Sequence, residues 1–194
     1  APTRAYNPNR SHFTYRYFWD YSGGYFIDFW CHYADVAYWA LDLQAPKSVS
    51  AMGGRWAVDD NAETPDIFEA TYEYPGMVLT WTMHPQGRPG YDHMGSCVIF
   101  EGSEATLVTN YGKHELYVKG KLQAEFQRPG QSIPDSPGHI REFLDAIKSR
   151  KRTTCDIEYG HKLNKAGLLA NVAFRTGERI YWDDSKEQVT GHSK

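Results

Sequence analysis

The connection lengths between the β-rich segments constrain this chain more than any other feature. Residues 66–74 (DIFEATYEY) and 77–83 (MVLTWTM) are separated by Pro75-Gly76 alone. Two residues close a hairpin but cannot make a parallel crossover, which needs about a dozen or more. Gly102-Ser103 joins CVIFE to EATLVTN in the same way. The sheet is therefore expected to be mainly antiparallel, with KSVSAMGGRWAV and HELYVKG bringing it to six or more strands. Alternation in DIFEATYEY places Ile67, Glu69, Thr71 and Glu73 on one face and Phe68, Ala70, Tyr72 and Tyr74 on the other. One face thus meets a core, and the other meets solvent or a partner.

Helical patterns flank this β region. Ser22 is a candidate cap for a helix over residues 22–43, which must end before Pro46. After Pro137 come GHIREFLDAIKSR and IEYGHKLNKAGLLANVAFRT, the latter stopped by Gly177. Ala166, Gly167, Ala170 and Ala173 let that last helix lie close to a neighbour. Residues 1–21 read as an extended lead-in, 46–126 as the sheet and 137–177 as two packing helices; IYWDD and a polar tail close the chain. The expectation is one α+β domain over residues 1–194, an open sheet with helices on one face and the other available for oligomerisation. At 194 residues the chain is long enough for one proper core.

Composition removes several classes. With 21 basic and 24 acidic side chains, no electrostatic footprint for nucleic acid exists. The one basic run, KSRKR at 148–152, reads as a solvated helix end. Cys31, Cys97 and Cys155 have neither disulfide-framework nor zinc-knuckle spacing. No apolar run approaches the roughly 20 residues that span a bilayer. No signal peptide is visible, and a cytoplasmic location is favoured over a periplasmic one. There is no strand-GxGxxG-helix unit for a dinucleotide and no Gly-x-Ser-x-Gly elbow for acyl transfer.

The segment GGYFIDFWCHYADVAYWAL (23–41) is almost wholly aromatic or aliphatic, yet it carries Asp28, His32 and Asp35. At helical spacing these three form a narrow stripe continued by Trp39, with Tyr25 at its edge and Phe26, Trp30, Tyr33 and Ala37 opposite. So apolar a helix is expected to be covered on several sides. An unpaired buried carboxylate costs several kcal/mol, so the stripe is either internally paired or faces a cavity that uses it. Carboxylates one turn either side of a histidine suit a general base, because they stabilise the proton it acquires. A self-satisfied structural network is the competing reading. A metal site would need ligands beyond Asp28 and His32, which one helix does not supply. Cys31, among bulky apolar neighbours, is expected to disfavour the thiolate a nucleophile needs.

Tyr17-Phe18-Trp19-Asp20-Tyr21-Ser22-Gly23-Gly24, followed by Asp28-x3-His32-x2-Asp35-x3-Trp39, resembles the start of the C-terminal domain of the Gfo/Idh/MocA oxidoreductases. Residues 163–171 (LNKAGLLAN), with Arg175-Thr176-Gly177 and Tyr181-Trp182-Asp183, resemble that family's closing helix. The resemblance implies a preceding Rossmann domain that this chain lacks, holding NAD or NADP and a catalytic lysine. The sequence, which opens without a methionine, would then be part of a longer chain and inert alone. It implies His32 as acid/base on a sugar or polyol hydroxyl, with Asp28 binding that substrate and tuning His32. Phe29-Trp30-Cys31 is bulkier than the small residues expected between that Asp and His.

Asp35 joins the candidate substrate-binding residues, orienting His32 or bonding backbone. Trp19, Tyr21 and Tyr25 could wall a pyranose ring by stacking. The loop HPQGRPGYDHMG (84–95) gathers His84, Arg88, Tyr91, Asp92 and His93, of which Arg88 and Tyr91 suit sugar hydroxyls or a carboxylate. Asn171 is expected to bond neighbouring backbone. Three functions stay open: net hydride transfer from a sugar or polyol to NAD(P), glycoside elimination or hydrolysis through a keto-sugar with recycled cofactor, and a non-catalytic carbohydrate-binding or assembly module. Self-association through the open sheet face is expected in each.

Overall fold

The computed structural model describes residues 1–85, 94–127 and 129–192. It is of the α+β class, with three helices and two open antiparallel sheets. The chain forms two compact units, residues 1–98 with 162–194, and residues 99–161.

The first unit holds helix α1 (Gly24–Leu41), strands β1 (Ser48–Gly54), β2 (Ile67–Tyr74) and β3 (Met77–Met83), and most of the last helix. Its sheet has the order β3-β2-β1-β8-β9, where β8 is Ile180–Asp183 and β9 is Gln188–His192. The β2–β3 hairpin turns at Pro75-Gly76 as its length requires, pairing Tyr74 with Met77 and Phe68 with Met83. Gly76 has φ +75°, a backbone conformation that L side chains rarely adopt. In β2, Phe68, Ala70, Tyr72 and Tyr74 are buried, while Ile67, Glu69, Thr71 and Glu73 are half-buried or exposed, as the alternation predicts.

Aromatic stacking makes the core of this unit. Phe26 of α1 stacks on Phe68 with ring centroids 4.4 Å apart, and Trp30 lies 5.0 Å from Tyr72 and 5.4 Å from Trp81. The Tyr38 and Tyr74 hydroxyls share a buried hydrogen bond of 2.6 Å. Helix α3 (Ile157–Thr176) has the bounds its sequence predicts and closes the core with Leu163, Ala166, Leu169, Ala170 and Ala173. Gly167 is required for this approach: a Cβ there would stand 2.5 Å from Ile27 Cδ1 and 3.0 Å from Trp30 Cδ1. Side-chain hydrogen bonds hold the helices together. Trp30 Nε1 donates to the Leu163 carbonyl at 2.8 Å, and Asn171 Nδ2 donates to the Gly23 carbonyl at 3.0 Å.

The opposite sheet face is polar at its centre, with Ser50, Thr71 and Thr80 in cross-strand register. Glu69 accepts from Thr82 Oγ1 at 2.7 Å and pairs with His84 Nε2 at 2.9 Å, and Arg179 bonds Ser48 and Glu73. Met52 and Val78 stand exposed beside this row.

The second unit contains β4 (Val98–Glu101), β5 (Ala105–Thr109), β6 (His114–Val118) and β7 (Lys121–Leu122), in that order in the sheet, and helix α2 (His139–Ser149). The Asn110 side chain accepts from the Gly112 and Lys113 amides, both at 2.9 Å, shaping the β5–β6 turn. In the basic run, Arg152 pairs with Asp156 and Glu158.

Four expectations are corrected. The strands divide between sheets of five and four instead of running as one, because β8 returns to pair with β1. The polar tail supplies β9, an edge strand held by backbone pairing that needs no apolar pattern. The lead-in is coiled rather than extended, with short 3-10 turns at Pro8–Arg10 and Thr14–Tyr17. Ser22 does not cap α1: Gly23 is the cap residue without a side-chain bond, and Gly24 turns the chain at φ +90° against Thr64.

Candidate functional site

Helix α1 is buried on one face only. Phe26, Trp30, Ala34, Ala37 and Tyr38 meet the core, whereas Asp28 and Asp35 are half-buried and His32, Cys31 and Trp39 are exposed. The expectation of cover on several sides is therefore wrong. The residual apolar surface is accounted for by rings that shield one another at helical spacing. Tyr25 and Phe29 lie 4.4 Å apart, Phe29 and Tyr33 stack at 6.3 Å with planes 8° apart, and His32 lies 5.6 Å from Phe29. Tyr33 thus joins this aromatic ladder instead of the core. Cys31 is exposed, and its thiol donates to the Asp28 carbonyl at 3.4 Å.

His32 stands on the open side, one turn from Asp28 and one turn from Asp35. An exposed imidazole with carboxylates above and below can exchange a proton with a hydroxyl brought to this face. Tyr25 borders the stripe, and its phenol is held above its ordinary range by partial burial and by Tyr17, Asp28 and Tyr33.

The sequence reading missed the nearest charge. Arg16, in the turn Thr14–Tyr17, donates from Nε to Asp28 Oδ1 at 3.1 Å and from Nη1 to the Phe13 carbonyl at 3.1 Å. Its guanidinium lies 4.4 Å from the Phe13 ring centre and 4.9 Å from that of Tyr15. The available signal was a lone arginine within the aromatic run HFTYRYFWDY. An extended lead-in would carry Arg16 away, so only the coiled geometry reveals the pair.

Other candidates lie elsewhere. The Trp19 ring stacks on Phe174 of α3 at 6.2 Å and lies under the Arg175 guanidinium at 5.2 Å. Asn171 bonds backbone, as expected of it. His84 pairs with Glu69 beside the sheet. Arg88 and Tyr91, with Asp92 and His93, fall outside the described residues. Among the described residues, no three His, Cys, Asp or Glu side chains stand together as metal ligands, and no helix is long and apolar enough to cross a membrane. The paired strands among the described residues are antiparallel, so they form no parallel strand-turn-helix crossover.

Sequence comparison places this fold in a class of oxidoreductase C-terminal domains. Residues 1–194 match the model described as the oxidoreductase family, C-terminal alpha/beta domain, and the chain belongs to the Gfo/Idh/MocA family. No curated protein matches the sequence. Among solved structures, the chain is similar to the WlbA dehydrogenase of Bordetella pertussis in complex with NADH and UDP-GlcNAcA. That likeness has TM-score 0.60 and 16% identity, and covers 87% of this chain and 49% of the other. An oxidoreductase from Agrobacterium radiobacter in complex with NAD+, L-tartaric acid and magnesium gives TM-score 0.52 at 14% identity, over 76% of this chain and 46% of that one. The aldose-aldose oxidoreductase of Caulobacter crescentus, complexed with glycerol, gives 0.53 at 14%, over 76% and 44%. These likenesses establish the fold. The chain spans less than half the length of each of these proteins.

Proposed function

We propose that this chain is the substrate-binding domain of an NAD(P)-dependent oxidoreductase that acts on a hydroxyl of a sugar or polyol. The observation that carries this reading is His32, exposed on the open face of α1 one turn from the half-buried Asp28. His32 takes the hydroxyl proton as the carbon beneath it is oxidised, and returns it in the reverse direction. Asp28 accepts a hydrogen bond from the substrate. Asp35 steadies His32 from the following turn, and Tyr25 offers its ring to the sugar, with Arg88 and Tyr91 proposed as further substrate-binding residues. A nicotinamide, held by a Rossmann domain elsewhere in the full protein, would serve as the hydride acceptor. NADH and UDP-GlcNAcA in the Bordetella relative, and NAD+ in the Agrobacterium one, support this assignment by analogy of fold.

The test uses full-length protein with NAD or NADP and a panel of myo-inositol, D-glucose, D-glucuronate and N-acetyl-D-glucosamine. Substrate-dependent appearance of reduced nicotinamide is expected with at least one panel member, and none from the 194-residue chain alone. Consumption of a glycoside substrate without net reduced cofactor would instead indicate keto-sugar elimination or hydrolysis.

The open sheet face, with its Ser50-Thr71-Thr80 row flanked by Met52 and Val78, is proposed as a self-association surface. Light scattering of the full-length protein is expected to give a dimer or larger assembly, and a monomer at micromolar concentration would refute it.

A further inference from the structure

We propose that Arg16 is a positioning residue that locks the Asp28 carboxylate, so that Oδ1 is occupied by the protein and Oδ2 is presented to the substrate hydroxyl. The proposal rests on the assignment of Asp28 to the substrate site. Arg16 is immobilised on four sides. Nε bonds Asp28 Oδ1, Nη1 bonds the Phe13 carbonyl, and the Phe13 and Tyr15 rings lie 4.4 and 4.9 Å from the guanidinium carbon. A planar guanidinium held in this way fixes its partner's direction as well as its charge.

The role in stability is small and the role in orientation is large. Both side chains are partly exposed, 24% for Arg16 and 34% for Asp28, and ion pairs at such exposure contribute little to folding. Asp28, however, projects from a helix surface, where a short carboxylate left alone samples several rotamers. Among the described residues, Asp28 Oδ1 is bonded by Arg16 and no bond reaches Oδ2. The pair also places a positive charge against Asp28, so the acceptor presented to a neutral hydroxyl is a charge-compensated carboxylate.

The test compares full-length Arg16→Met, Arg16→Lys, Asp28→Asn and the Arg16→Met/Asp28→Asn double variant. Crystal structures report the carboxylate directly. In Arg16→Met, Asp28 is expected to leave its present rotamer or to split between rotamers, with the melting temperature unchanged within error. With the panel sugar that the parent oxidises fastest, kcat/KM in Arg16→Met is expected to fall about tenfold or more. In the Asp28→Asn background the same substitution is expected to cost nothing further, a non-additivity that a merely structural role would not produce. Arg16→Lys keeps the charge and is expected to restore part of the loss. An Asp28 carboxylate unmoved in Arg16→Met overturns the proposal, as do fully additive losses. A reoriented Asp28 with undiminished turnover, or no turnover of any panel sugar by the parent, strikes at the catalytic reading of Asp28 instead and leaves the crystallographic arm to decide the positioning.

Discussion

Full-length protein carrying His32→Ala is expected to lose turnover by about 10²- to 10⁴-fold, the usual contribution of a positioned acid/base. Its stability is expected to change by only about 0.5 kcal/mol or less, as for other surface positions. The burial pattern of α1 sets the stability effect. The His32 ring is exposed and meets Phe29 at 5.6 Å, so truncating it opens no core cavity. Steady-state kinetics and a thermal melt on the same preparation check both halves. Unchanged turnover with a clear drop in melting temperature would reverse the assignment and leave a non-catalytic carbohydrate-binding or assembly module.

The second large effect is alkaline collapse. Three phenols lie in the core of the first unit, and burial is the leading cause that raises each. Tyr74 is pushed up to about 12, and Tyr38 and the fully buried Tyr72 are likewise raised well above the ordinary phenol range. The Tyr74 phenol adds to the rise at both neighbours, whereas the hydrogen bond from Tyr38 offsets part of the rise at Tyr74 itself. In the unfolded chain these groups ionise near pH 10. Below that pH both states keep the protons and stability is fully present. Above it the unfolded state releases protons that the folded state retains, so stability falls as pH rises. The slope is about 1.4 kcal/mol per pH unit for each phenol. Denaturant melts between about pH 10 and 12 should show this steep loss, with tyrosinate absorbance from these residues appearing only on unfolding. In a Tyr38→Phe/Tyr72→Phe/Tyr74→Phe variant that still folds, the slope should be markedly shallower. An equally steep loss in that variant would place the cause elsewhere.

Some of this architecture was legible because local rules and tertiary fold agree. The two-residue hairpin at Pro75-Gly76, the alternation of β2 and the bounds of α3 follow from turn chemistry and periodicity alone. The polar stripe of α1 was legible for the same reason, since helical spacing places Asp28, His32 and Asp35 together whatever surrounds them. What failed depended on distant partners. The division into two sheets depends on β8 finding β1 across more than a hundred residues. The polar strand β9 pairs through backbone, which leaves almost no trace in side-chain pattern. Arg16 escaped because its partner lies twelve residues away, across a coiled segment whose periodicity says nothing. The cover expected around α1 was misjudged because rings that shield one another look, in sequence, like rings that pack into a core.

The contacts between α1 and α3 have a mechanical consequence. Trp30 Nε1 on the Leu163 carbonyl and Asn171 Nδ2 on the Gly23 carbonyl pin α1 near its first residue and again two turns later. With Gly167 bringing the two axes close between those points, α1 cannot roll about its own axis without breaking both bonds. On the proposed assignment of the stripe, discrimination between ligands comes from which side chains it carries and from what closes over it, because the helix beneath works as a stationary bench and not as a jaw.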